Sequence, residues 1–190
     1  MKAWLNVAAI VCAIAVAPVG AVAQEKPVPT KPGAPGVPQE SAATKPAADS
    51  TFMKTAAMDG MAEVEHGQLA AQKAASDGVK QFGQRMADDH GKANAELKSL
   101  AAQKHVTLPA KLDAKHQAMH DKLAKMSGAA FDSAYMAHMV TAHKEAVALF
   151  QREAKAGSDA ETKAFAEKTL PTLQEHLKMA QDVSVKSKRP

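Results

Sequence analysis

Between Phe52 and Val183 the chain contains only two prolines, Pro109 and Pro171, and no cysteine. The stretch is rich in alanine and has few β-branched runs. Large apolar residues recur every three to four positions, the period of an α-helix with one buried face. Four short segments interrupt the pattern: Ser76-Asp77-Gly78, "HVTLP" (His105 to Pro109), Ser127-Gly128 and Gly157-Ser158. Each sets turn formers or N-cap residues where one helix must stop and the next begin. A chain patterned this way buries its apolar stripes by packing helix on helix.

Five helical segments follow, over about 51–75, 79–104, 110–126, 129–156 and 159–183, the third being short. Ser158 with Glu161 three residues on has the form of a capping box at the start of the fifth. Short turns between long helices make neighbours antiparallel, so residues 51–183 are expected to form one all-α domain, an up-down four-helix bundle with one extra short helix. Pro171 falls within the fifth segment, where a missing N–H and a clash with the Glu167 carbonyl predict a kink. The alternative is two shorter helices meeting there.

The N-terminus indicates a compartment. Lys2 precedes the apolar run "VAAIVCAIAVAPV", and Ala21-Val22-Ala23 offers a small-residue cleavage site before Gln24. This is the form of a secretory signal peptide over residues 1–23, too short in its apolar part to span a bilayer. Val11 before Cys12 is the wrong residue for a lipoprotein site, so the one cysteine leaves with the signal. The location expected is periplasmic or otherwise secreted, with no transmembrane segment after cleavage. Thiolate chemistry is then excluded, and any metal must be held by His, carboxylate or Met. Residues 24–50 hold six prolines and two glycines and almost nothing large and apolar, as expected of a disordered tether. Residues 184–190 form a short basic tail.

Loss of residues 1–23 removes one lysine and no acid, so the formal charge falls from +4 to +3. The remaining lysines are interspersed with acids, and the only tryptophan lies in the signal. Neither a basic stripe nor a base-stacking platform is present, which argues against nucleic acid as a partner.

Placing residues at about 100° each turns specific polar side chains inward. On the fourth segment Phe131, Tyr135, Met139, Ala146 and Phe150 share the apolar face, with His143 inside its edge and His138 and Glu145 on the opposite edge. On the second, Asp89 and His90 flank the centre of a stripe through Phe82, Met86 and Leu97. His176 lies within the fifth stripe, and Glu63 within the first. Each long helix thus offers the interior a carboxylate or an imidazole. Glu63, His90, His143 and His176 are the candidate metal ligands, since buried groups of this kind are best satisfied by one another or by a cation. The alternative is that each is a hydrogen-bonded boundary residue at its own height along the bundle.

The segments "FMKTAAMDGMAEVEHGQLA", "VKQFGQRMADDHGKANAELKSLA", "FDSAYMAHMVTAHKEAVALF" and "FAEKTLPTLQEHLKMA" together resemble the bacterial domain-of-unknown-function family 4142 over residues 51–181. The resemblance implies a secreted, ferritin-like bundle of no established activity. "MVTAHKEAVALF" is also similar to a segment of another ferritin-like periplasmic family. The family pattern covers Glu63, Asp89-His90, Tyr135, His143 and the run ending in His176. Where the pattern has Asp before the fourth-helix His, this chain has Ala142. His66 replaces a more usual apolar residue and makes "EVEH" an E-x-x-H, although His66 lies about 60° round the helix from Glu63. Asp89, His66 and Tyr135 are therefore second-tier candidates.

The expected ion is a divalent metal, Fe, Mn, Zn or Cu. Met119, Met136 and Met139 beside His116, His120 and His138 would suit copper, or simply fill a core short of aromatics. A di-metal redox enzyme is disfavoured, because the paired E-x-x-H motifs of such centres are missing. The remaining alternative is a metal-free envelope interaction or stress protein, acting through a cell-envelope partner.

Overall fold

The computed structural model describes residues 45–186; the expected signal peptide, residues 24–44 of the linker and residues 187–190 of the tail lie outside them. Five helices account for nearly all of the described chain: α1 (Lys45–Lys73), α2 (Asp77–Gln103), α3 (Ala114–Ala124), α4 (Gly128–Ala156) and α5 (Ala160–Lys186). Four long helices form the bundle. α1 packs on α2 and α4, α5 packs on the same two, and α3 lies outside against α1 and α4.

The buried apolar residues fall into two clusters, and their order along each helix sets the directions. One holds Phe52, Met53, Leu97, Phe150, Phe165 and Leu173; the other holds Ala70, Val79, Phe82, Met86, Phe131, Tyr135, Met139 and Ala180. α1 and α5 run from the first cluster to the second, and α2 and α4 run back. Every packed pair among the long helices is therefore antiparallel. Because α2 and α4 run the same way, the connection between them must traverse the bundle. Residues 104–127 do so: Val106 and Leu108 pack on the first cluster, and Met119 and Leu123 belong with the second. The up-down alternation holds with α3 as one of its strokes, and the single long crossover is that of ferritin-like bundles.

Two buried aspartates tie the hairpins together. Asp132 near the start of α4 accepts the N–H groups of Ala75 and Ser76 in the α1–α2 turn, at 2.9 and 2.8 Å. Asp49 on α1 does the same for the α4–α5 turn, taking the N–H groups of Ser158 and Asp159 at 3.0 and 2.9 Å. Burial alone would raise the Asp49 carboxyl, but these bonds and the Ser158 hydroxyl outweigh it and hold the pKa below the ordinary value.

Asp49 also explains why the expected linker boundary at residue 50 was late. Residues 45–50 are helical, with Pro46 in the first turn, where no N–H is needed. The tail boundary shifts as well, since α5 runs on to Lys186. The capping box at Ser158 does not form. Asp159 caps instead, accepting from Thr162 N–H at 2.9 Å, while Ser158 turns its hydroxyl to Asp49 and Glu161 pairs with Lys104. α3 is shorter than expected because Asp113 caps it, accepting from His116 N–H. α2 ends through His105, whose φ of 56° lets Val106 N–H reach the Ala101 carbonyl at 2.8 Å. α5 continues unbroken through Pro171, so the reading as two helices does not hold.

α1 and α2 approach closely where two glycines face each other. A Cβ on Gly67 would lie 2.5 Å from the Gly83 carbonyl oxygen, and one on Gly83 would lie 2.7 Å from Ala70 Cβ. This contact lies one turn past Glu63 along α1.

Candidate metal centre

On all four long helices the candidate ligands lie between the two apolar clusters. Glu63 falls between Ala57 and Ala70, His90 between Met86 and Leu97, His143 between Met139 and Ala146, and His176 between Leu173 and Ala180. The bundle has a polar layer at mid-height, and the four residues share it. All four are buried, His143 and His176 at 0% and 1% exposure.

Their contacts are direct. Glu63 Oε2 lies 2.5 Å from His90 Nε2, and Glu63 Oε1 lies 3.3 Å from His143 Nδ1. The His90, His143 and His176 rings stand 5.4–5.7 Å apart between centroids. One ligand nitrogen from each can be chosen so that all three lie within 4.8 Å of one another.

Hydrogen bonds fix which nitrogens are free. His143 Nδ1 lies 3.0 Å from the Met139 carbonyl, which can only accept, so Nδ1 carries the proton and Nε2 keeps its lone pair. His176 Nε2 lies 3.0 Å from Asp89 Oδ2, which leaves Nδ1 as the lone-pair nitrogen. Both of these free nitrogens are buried without partners. His90 Nε2 is instead engaged by Glu63 Oε2 in a close ion pair. Arg85 donates from Nε to Asp89 Oδ2 at 2.8 Å and so steadies the carboxylate behind His176.

Charge follows from the same contacts. Burial by itself would raise Glu63, but His90 and His143 outweigh it and hold the carboxyl far below its ordinary range. Burial would lower His90, yet Glu63 overcomes this and raises it. His176 is pushed down to about 4, first by burial and then by its two imidazole neighbours, against the pull of Asp89. The layer therefore holds an anionic Glu63 paired with a His90 that favours its protonated form, beside a neutral His176, all buried.

All four first-tier candidates thus come together. The second-tier residues do not join them as equals. Asp89 supports His176 from behind. Tyr135 stacks on Phe131 at 5.7 Å in the apolar layer below, its hydroxyl unpartnered and its pKa raised by burial and then by Glu63. His66 faces away from the trio, toward His138 and His120. Sequence reasoning did not foresee Arg85 or the Met139 carbonyl as the groups that orient the rings. The i,i+4 spacings Arg85–Asp89 and Met139–His143 were the available signal.

Fold and centre together define a ferritin-like four-helix bundle with a buried His–Glu layer. The chain belongs to the family described as Domain of unknown function (DUF4142), whose model matches residues 34–183. No curated protein matches the sequence significantly. Among solved structures it is similar to a DUF305 fragment from Deinococcus radiodurans (TM-score 0.65, 10% identity, covering 73% of this chain and 96% of that one). It is also similar to a DUF305 protein from Streptomyces coelicolor (0.64, 12%, 74% and 92%). A third is CopM in its Cu(II)-bound form (0.62, 17%, 73% and 96%). At these identities the likeness is one of fold. Among the described residues, no helix is long and apolar enough to cross a membrane.

Proposed function

We propose that this is a periplasmic or otherwise secreted protein that binds a divalent transition-metal ion through His90, His143 and His176, with Glu63 as the carboxylate ligand. The observation that carries the reading is the cluster of three buried imidazoles from three helices beside the Glu63 carboxylate, with His143 Nε2 and His176 Nδ1 left without partners. Leaving such groups unpaired costs about 1–3 kcal/mol each, and one cation would satisfy both. Its charge would offset Glu63 and displace the proton from His90. Of the ions expected from the sequence, three imidazoles and one carboxylate suit zinc and copper best, then iron, and manganese least. The shared fold of CopM, a copper-bound protein, supports the copper end of that range. The signal-like N-terminus supports the location.

Binding, storage or buffering fits better than turnover. The cavity bordering Glu63 and His90 is about 30 Å³, room for roughly one water and no organic substrate.

The test is to express the full chain without a His tag, purify it without chelators, and measure bound metals by plasma mass spectrometry. Near-stoichiometric metal, lost in a His90→Ala/His143→Ala double variant, is expected. Metal-free protein that stays folded and gains no thermal stability from added Fe, Mn, Zn or Cu would overturn the reading in favour of a metal-free envelope protein.

A further inference from the structure

His66 raises a separate question. It lies one turn past Glu63 on α1 but is rotated toward α3 and α4. It is fully buried, and neither ring nitrogen makes an aligned hydrogen bond. The main chain at His116 is the polar group beside it. A leucine there would avoid the cost of burying an imidazole, so the histidine needs a reason. Two other imidazoles face it. The His138 ring on α4 is 5.2 Å away between centroids, edge to face, and the His120 ring on α3 is 6.1 Å away and stacked. These spacings are close to those within the His90–His143–His176 trio.

The neighbourhood is open on one side. Met119, His116, His138, Asp59, Glu145 and Glu63 line a cleft of about 240 Å³ between α1, α3 and α4. His116 is already committed, with Nδ1 2.7 Å from Asp113 and Nε2 3.3 Å from Asp59. His120 is not: its one polar contact is Asp121 at 3.5 Å, and its side chain is 28% exposed. His66 and His138 are held neutral at ordinary pH, His66 at about 4, by burial first and then by neighbouring imidazoles. Neutral rings offer lone pairs rather than protons.

We propose that His66, His120 and His138 form a second transition-metal site, distinct from the mid-bundle layer, that takes a borderline ion of the zinc and copper class through three imidazoles. The donors come from three helices, and His138 borders the cleft. α3 is short and packs on α1 and α4. The Met119 thioether at the cleft wall adds a soft neighbour suited to copper.

The experiment is a calorimetric titration of the full chain, first stripped with chelator, using Zn(II) alone and Cu(II) alone. Two equivalents are expected for the wild type. His66→Leu should bind one equivalent fewer, while His90→Ala/His143→Ala should keep the equivalent that His66→Leu loses. Should His66→Leu fail to fold by circular dichroism, His120→Gln, half-exposed on α3, must show the same loss. Unchanged stoichiometry in whichever of the two variants folds overturns the second site. A wild type that binds one equivalent, abolished only by the His90/His143 double variant, overturns it too and leaves the mid-bundle reading standing. One equivalent lost only with His66 or His120 does the reverse.

Discussion

His176 directs Nε2 at Asp89 Oδ2 across 3.0 Å and keeps a buried Nδ1 with no partner. The carboxylate fixes the tautomer and the ring angle, and Arg85 fixes the carboxylate. Asp89 lies partly at the surface and contributes little to the core, so its effect on the centre can be separated from stability. Asp89→Asn is expected to weaken metal binding by about 10–100-fold with little change in melting temperature. Competition against a chromophoric chelator measures the first quantity, and an unchanged affinity would mean that the His176 ring needs no support from behind.

The glycine pair allows a matched comparison. In Gly67→Ala the new methyl meets the Gly83 carbonyl at 2.5 Å and Ala87 N at 3.0 Å, backbone that cannot swing aside. α1 and α2 must separate, at a cost of about 1–3 kcal/mol. Gly91, on the exposed side of the same α2, has nothing within 4 Å of such a methyl. Gly91→Ala should therefore stabilise by about 0.5–1 kcal/mol through helix propensity alone. Urea denaturation of the two variants reads both signs. Equal effects would mean that the close approach does not constrain the pair.

His143→Leu distinguishes a ligand from a structural polar residue. The Met139 carbonyl is a helix carbonyl and loses little when the imidazole goes. Glu63 loses its contact with His143 at 3.3 Å but keeps His90 at 2.5 Å, so its charge is not left unpaired. The metal-free variant should melt within a few degrees of the metal-free wild type, yet lose the rise in melting temperature that added metal gives the wild type. A metal-free loss of about 3 kcal/mol or more would show that His143 is retained to hold the core together.

The helices, their order and the four inward residues were legible because each depends on local periodicity. Glu63, His90, His143 and His176 were found by angle alone. Their common height was also encoded, in the way each is bracketed along its own helix by residues of two apolar clusters. Reading it required knowing that residues 104–127 cross the length of the bundle, and loop composition does not give that. The early start of α1 was illegible for a similar reason. Asp49 is held by Ser158 and Asp159, more than a hundred residues away. The capping box failed because the same long-range contact drew Ser158 away and left Asp159 to cap. His66 looked like half of an E-x-x-H. The 60° between it and Glu63 was enough to send it to different neighbours.

Glu153 carries the pH prediction. It is buried beside Asp49 at the α4–α5 turn, with Oε1 unpartnered and so close to Gly157 that a Cβ there would lie 2.5 Å away. Burial, and then the Asp49 charge, raise its carboxyl from the usual 4.5 to about 7. The native state thus holds a proton that the unfolded chain has already released. Glu153 therefore adds stability that is fully present below about pH 4.5 and is lost as pH rises through about 7. Glu153→Gln keeps the neutral shape at every pH. The melting temperatures of variant and wild type should be close near pH 4.5, and the variant should gain steadily above that, leading clearly by about pH 8. Asp49 is ionised across this window and remains in both proteins, so it does not contribute to the difference. A gap that stays constant from pH 4.5 to 8 would mean that Glu153 is ionised in the native state throughout, its charge satisfied where it stands.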